Sequence, residues 1–355
     1  MKAFLILEDG TVFSGTSIGS KKDIISEIVF NTSMTGYLEE LTDPSYAGQA
    51  VVMTYPLIGN YGITPDSESR RAWPDGYIVR ELSRIPSNFR CESDIQSFLK
   101  EHDITGISGI DTRALTKLIR DKGTMNGMIT TNASYSEEEV IEKIKAYKAT
   151  GLVEKVTCKE KSVVKGDGPK VALMDFGVKD SIAKKLNEMG CNVTTYPAFT
   201  KAEEVLADAP DGIFLSNGPG NPADCDMIAD EIKKLVEANV PMFAAGLGHQ
   251  LLAIANGGKT YKLSKGHRGG HPVKNTKTGK VVATSQCNSY AVDAKSLSPE
   301  VAEETFVSVT DGSNEGLGYM GRNVISVQFN PEGCPGPKEM EYLLKDFVEM
   351  MKGAE

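Results

Sequence analysis

Residues 241–250 read Pro-Met-Phe-Ala-Ala-Gly-Leu-Gly-His-Gln. The short apolar run 241–245, closed by a glycine, predicts a buried strand. Gly246 and Gly248 mark a tight turn, and the apolar stretch 251–255 predicts a helix. A strand, a glycine turn and a helix in that order is the local shape of a nucleophile elbow, whose central residue is held in a strained conformation above a sheet. Glycine adopts that conformation with little penalty. The turn can therefore form around Gly246, but a glycine carries no group that attacks a carbonyl. His249, at the head of the helix, is expected to contact backbone or solvent and not to take part in catalysis.

On either side, strand and helix patterns alternate. Strands are expected over 170–176, 192–196, 212–215 and 241–245, and helices over 179–189, 201–207 and 225–238. A further strand over 324–329 leads into Pro331-Glu332. Such alternation implies a parallel sheet covered on both faces, and in such sheets ligands bind beyond the carboxyl ends of the strands. Three glycine or turn segments fall at those ends: 217–221, 246–248 and 330–333. Their coincidence is the strongest residue-level sign of a site. Asn217-Gly218-Pro219-Gly220-Asn221-Pro222 lets backbone N–H groups approach a ligand closely. It lacks the lysine and hydroxyl of a phosphate loop. Glu332 is placed to orient a neighbouring base, but Asn330 beside it can hydrogen-bond and cannot accept a proton near neutral pH.

The first half of the chain reads as mixed α+β without a repeat. Strand-like runs at 3–7 and 24–31 alternate with turn signals, and helices are expected over 92–101 and 112–122, the latter with Asp111 as N-cap and Gly123 as its stop. Lysines and the Asp167-Gly168-Pro169 run make 151–169 a polar connection, so the expected domains are 1–150 and 170–355 joined by that linker. At 355 residues the chain is long enough for two cores. A net charge of −9 and a pI near 5.2 argue against a nucleic-acid partner. No apolar run reaches the roughly 18 residues of a membrane span, and the apolar run before Glu8 is too short for a signal peptide. A cytoplasmic location is expected. The six cysteines are scattered without a C-x-x-C pair, which argues against a zinc site or disulfide framework. Cys287 and Cys334 stand apart, because both fall in segments expected to line the pocket.

Together the motifs resemble the small subunits of carbamoyl phosphate synthetases, which are class I glutamine amidotransferases, over nearly the whole chain. In the first half the resemblance rests on Glu27-Ile-Val-Phe-Asn-Thr-Ser-Met-Thr-Gly-Tyr37, Leu41-Thr-Asp-Pro-Ser-Tyr46, Thr54-Tyr-Pro-Leu-Ile-Gly-Asn60 and Gly109-Ile-Asp-Thr-Arg113. In the second half it rests on Asp175-Phe-Gly177, Leu215-Ser-Asn-Gly-Pro-Gly220, Leu247-Gly-His-Gln250 and Pro331-Glu332. The resemblance implies an α/β protein: a mixed α+β N-terminal domain, then a class I glutamine amidotransferase-like, doubly wound parallel-sheet domain. It also implies a partner, a large synthetase subunit that would carry ATP and magnesium, with no cofactor and no metal in this chain. The product would be carbamoyl phosphate, made from bicarbonate, ATP and glutamine-derived ammonia for arginine and pyrimidine synthesis.

By the same resemblance Ser45, Gly218, Gly220, Leu247 and Gln250 match glutamine-contacting positions, with the N–H groups of Leu247 and Gly220 as the oxyanion hole. The family's Gly-(Ile/Val)-Cys-Leu-Gly-His-Gln puts the nucleophilic cysteine where Gly246 stands. Its Phe-His-Pro-Glu puts the base where Asn330 stands, with Glu332 retained. Its Gln-Asn-His-Gly-(Phe/Tyr) becomes Gln286-Cys287-Asn288-Ser289-Tyr290, so Asn288, Ser289 and Tyr290 occupy a substrate-binding segment in altered form. Three readings follow: a small subunit with a silent glutaminase, a glutamine-sensing regulatory paralogue, or a hydrolase whose thiol has moved to Cys287 or Cys334.

Overall fold

The computed structural model describes residues 1–353, which divide into two compact units between Thr150 and Gly151. In the first unit seven strands close into a barrel, in the order Lys2–Leu7, Val12–Gly19, Thr105–Ser108, Gly76–Val79, Gln49–Met53, Ile24–Asn31 and Met125–Thr130. Leu5, Leu7, Ile28, Val52, Ile78 and Ile107 pack together in its core. Alternate residues of each strand point inward, as barrel closure demands. The helix Thr112–Lys122 begins where Asp111 accepts the Ala114 N–H at 2.9 Å and ends at Gly123, whose φ of 91° suits only glycine. The helix expected from residue 92 starts at Ile95, because the Asp94 side chain accepts the Ser97 N–H at 3.0 Å and fixes the cap there.

The second unit is built on a ten-stranded sheet. Its order is Ser162–Val164, Asn192–Pro197, Lys170–Asp175, Gly212–Leu215, Met242–Ala245, Val324–Val327, Asn314–Tyr319, Ala302–Ser308, Lys259–Asn275 and Val281–Asp293. The five strands from Asn192–Pro197 to Val324–Val327 run parallel. Side chains alternate between two cores. Ala172, Met174, Ile213, Leu215, Met242 and Ala244 face the helices Ala202–Ala207, Asp226–Glu237 and Leu247–Ala255. Leu173, Phe214 and Phe243 face Asp180–Glu188 and Tyr342–Lys352 on the other side. Both faces of the parallel strands are therefore buried, as their near-continuous apolar sequences require.

The segment expected as a linker belongs to this unit. Leu152–Val156 is a helix whose apolar residues are buried, and Ser162–Val164 adds an antiparallel edge strand beside Asn192–Pro197. The intervening lysines stay in solvent, which is what gave the stretch its polar reading. The helix after the elbow starts four residues earlier than its apolar run suggests, at Leu247, and the strand before Pro331 stops at Val327.

Candidate functional site

The carboxyl ends of the parallel strands carry the site. Met242–Ala245 delivers the chain to Gly246, whose φ of 54° and ψ of −114° lie in the strained region that side-chain-bearing residues rarely occupy. The turn is fixed from its main chain: Gly246 N–H donates to the Val327 carbonyl at 3.0 Å, and Gly248 N–H to the Ser216 carbonyl at 2.9 Å. A Cβ on Gly248 would lie 2.3 Å from the Leu215 carbonyl, so this glycine lets the helix pack directly on the neighbouring strand. A Cβ on Gly246 would lie 3.2 Å from Asn217 Cβ, close but without a backbone collision. The elbow is therefore complete as a piece of backbone, and it offers no side chain.

Gly218 and Leu247 meet across this turn; a Cβ on Gly218 would come within 2.9 Å of Leu247 Cδ2 and 2.2 Å of the Phe176 carbonyl. Gly220, at φ 94°, is exposed. Leu247 opens the helix, where first-turn N–H groups lack intrahelical acceptors. Gln250 is buried one turn on. Its Nε2 donates to the Tyr290 carbonyl at 2.7 Å and to Gln328 Oε1 at 2.8 Å, and so ties the elbow helix to the two segments opposite.

Those two segments are themselves linked, since Asn330 N–H donates to the Ser285 carbonyl at 2.8 Å. Asn288 Nδ2 donates to the Tyr290 carbonyl at 3.0 Å, and Ser289 Oγ accepts from Arg268 at 2.6 Å. Gly246, Gly218, Leu247, Gln250, Asn288, Ser289, Tyr290, Asn330 and Glu332 thus fall within one connected set of segments. Ser45 lies in the first unit, on the short helix Pro44–Tyr46, with its N–H held by Asp43 Oδ1 at 2.8 Å. Cys287 and Cys334 are half-buried; Cys334 Sγ lies 3.8 Å from the Glu332 carbonyl and Cys287 is in register with Arg268.

Two features differ from expectation. His249 faces neither solvent nor backbone: it is fully buried, with Nδ1 2.8 Å from Ser326 Oγ. Because the helix begins at Leu247, the imidazole falls in its first turn against the sheet. Burial lowers its pKa to about 3, which the nearby Asn314 side chain opposes only in part, so the ring is neutral. The second feature is Lys179. Its ammonium is wholly buried and forms an ion pair with the equally buried Glu332 carboxylate, while also donating to the Cys334 carbonyl. Glu332 therefore already has a partner, and that partner is a cation and not an imidazole.

Sequence reading also missed a buried titratable cluster behind the Gln286 segment. His267 Nδ1 lies 2.8 Å from Gln286 Oε1 and 3.1 Å from Glu315 Oε1, and its Nε2 lies 2.9 Å from Asp311. Burial alone would lower the His267 pKa, but the bonds to Asp311 and Glu315 prevail and raise it to about 9. The Asp311 carboxyl is held well below the usual range by that histidine, whereas burial pushes Glu315 up. Gln286 Nε2 completes the brace by donating to Glu315 Oε2 at 2.9 Å. Among the described residues no group of three His, Cys, Asp or Glu is arranged to hold a metal, and no helix is long and apolar enough to cross a membrane.

Residues 172–350 match the family Glutamine amidotransferase class-I, which defines the second unit as an amidotransferase domain. Residues 5–129 match Carbamoyl-phosphate synthase small chain, CPSase domain. The carbamoyl phosphate synthase small chain of Clostridium perfringens is 49% identical over 351 residues, covering 98% of this chain and 99% of that protein. That of Listeria monocytogenes is 45% identical over 357 residues, covering 100% and 98%. Among solved structures, a glutamine amidotransferase from Thermotoga maritima is 16% identical, with a TM-score of 0.39 over 52% of this chain and 85% of its own. The chain belongs to the carbamoyl phosphate synthase small chain family.

Proposed function

We propose that this chain pairs with a large synthetase subunit to make carbamoyl phosphate, and that its own glutaminase is silent, so that the complex draws on free ammonia. The observation that carries the reading is Gly246: a complete elbow, strained and hydrogen-bonded as a nucleophile's would be, mounting no nucleophile. Asn330 on the facing segment supplies no proton acceptor. A thioester route needs both groups. In a measured serine-protease triad, loss of the nucleophile or base alone costs about 10⁶ in turnover. Backbone donors at Leu247 and Gly220 do not depend on either side chain, which supports retention of the oxyanion-binding geometry.

The test is carbamoyl phosphate synthesis by the purified pair, with glutamine and with ammonium as nitrogen source. Synthesis from ammonium and none from glutamine is the expected result; equal rates from both would overturn the reading. Gly246→Cys alone should restore little, because no base deprotonates the thiol. Gly246→Cys with Asn330→His should recover far more glutaminase turnover than the two single changes combined, as for side chains that act as one unit. A double variant as inactive as its parent would mean that Asn288, Ser289 and the Lys179–Glu332 pair have remodelled the pocket further.

A further inference from the structure

Away from the elbow, the second unit contains a cleft of about 760 Å³ between the end of Val281–Asp293, the turn after it and the strands Ala302–Ser308 and Asn314–Tyr319. That volume lies within the range of small-molecule sites. Its floor is apolar, made by Val292, Leu297, Ala302 and Leu317. These four side chains belong to the same core as Leu251 and Leu252 of the elbow helix. The half-exposed Tyr261 ring stands at its wall. The polar lining is mostly acidic. Asp293 and Glu304 have no ion-pair partner among the described residues, Glu303 is engaged by Lys277 at 2.9 Å, and Lys295 is exposed at the rim.

We propose that this cleft is a binding site for a small organic cation with a flat apolar body, whose charged end is received by Glu304 while its body lies on the Leu297–Leu317 floor beside Tyr261. Each part of that ligand answers a part of the site. An apolar floor excludes a bare inorganic ion, an aromatic wall favours a cation over its neutral counterpart, and unpaired carboxylates disfavour an anion.

Glu304 is held in place from the neighbouring strand. Glu304 Oε2 accepts from Asn314 Nδ2 at 2.9 Å. Asn314 is itself buried, and its Nδ2 also donates to the Gly316 carbonyl at 3.1 Å. A cation that takes over Glu304 competes for the carboxylate oxygen that holds Asn314.

The experiment uses the full chain and three probes of one shape: benzamidinium, neutral benzamide and anionic benzoate. In calorimetry and thermal unfolding, benzamidinium should bind and stabilise, and the other two should bind at least about tenfold more weakly. Glu304→Gln should weaken benzamidinium by about tenfold or more, as expected on losing a charged hydrogen-bond partner, and Ala294→Trp should block the cleft. Circular dichroism checks that both variants fold. Equal binding of the three probes, or benzamidinium binding that survives both substitutions, would overturn the site. None of these readouts depends on glutamine or a large-subunit partner, so they fail separately from the silent-glutaminase reading.

Discussion

Removing the Lys179 ammonium should strand a buried negative charge. Both side chains of the Lys179–Glu332 pair are essentially inaccessible, at 0% and 1% exposure, and Lys179 also holds the Cys334 carbonyl. At such depth breaking a pair by deleting one partner costs about 3–5 kcal/mol, because the remaining ion has lost water without compensation. Lys179→Met keeps the volume and removes the charge, so it isolates that effect. Lys179→Met combined with Glu332→Leu should recover most of the loss, because replacing a whole buried pair by apolar groups is often neutral or better. Urea unfolding followed by far-UV circular dichroism provides the measurement. The only tryptophan, Trp73, lies in the first unit, so its emission separates the units' transitions. A single variant within about 0.5 kcal/mol of the parent would place it among ordinary surface substitutions and refute the claim that Glu332 is sealed from water.

The His267 cluster predicts a second pH signature. With the folded pKa raised to about 9 from 6.5, its contribution is fully present below about pH 6.5 and is lost as pH rises through 9, a decline that His267→Gln should abolish in thermal unfolding. Gly248→Ala would drive a methyl to within 2.3 Å of the Leu215 carbonyl, a backbone atom that cannot swing aside; it should reach or exceed the usual ~1–3 kcal/mol of overpacking in chemical denaturation. Treatment with a glutamine-directed chloroketone should leave Cys287 and Cys334 unmodified by intact mass, and an adduct on either would favour a relocated thiol.

Much of the second unit is written locally. Alternating strand and helix patterns place the parallel sheet, and the glycine turns mark its carboxyl edge, because each depends on residues within a few positions of one another. Asp111 and Gly123 bracket their helix for the same reason. What escapes is pairing at a distance. Barrel closure in the first unit joins Lys2–Leu7 to Met125–Thr130, and no local pattern encodes that register. The cluster of His267, Asp311 and Glu315 assembles from three separate segments. Lys179 did leave a trace: it caps the positive end of the helix Asp180–Glu188, an unfavourable place for a cation unless a buried anion draws it there. Glu332 is that anion.

The elbow keeps its conformation without any side chain at its central position. Its conformation is held by the Gly246 and Gly248 amides and by the close approach of Gly248 to Leu215, none of which involves a side chain at 246. Glycine at that position in fact removes strain, on the order of 1–3 kcal/mol for a residue held outside the populated regions. A cysteine there would have to be retained for its chemistry against that gain. Other side chains near the elbow behave differently, since Gln250 and the Lys179–Glu332 pair are bound into buried hydrogen-bond and ion-pair networks whose disruption is costly. The physics therefore separates the site into two parts. Gly246 is a position whose side chain the fold does not need, and Gln250, Lys179 and Glu332 are positions where folding itself penalises change, whether or not glutamine is ever hydrolysed.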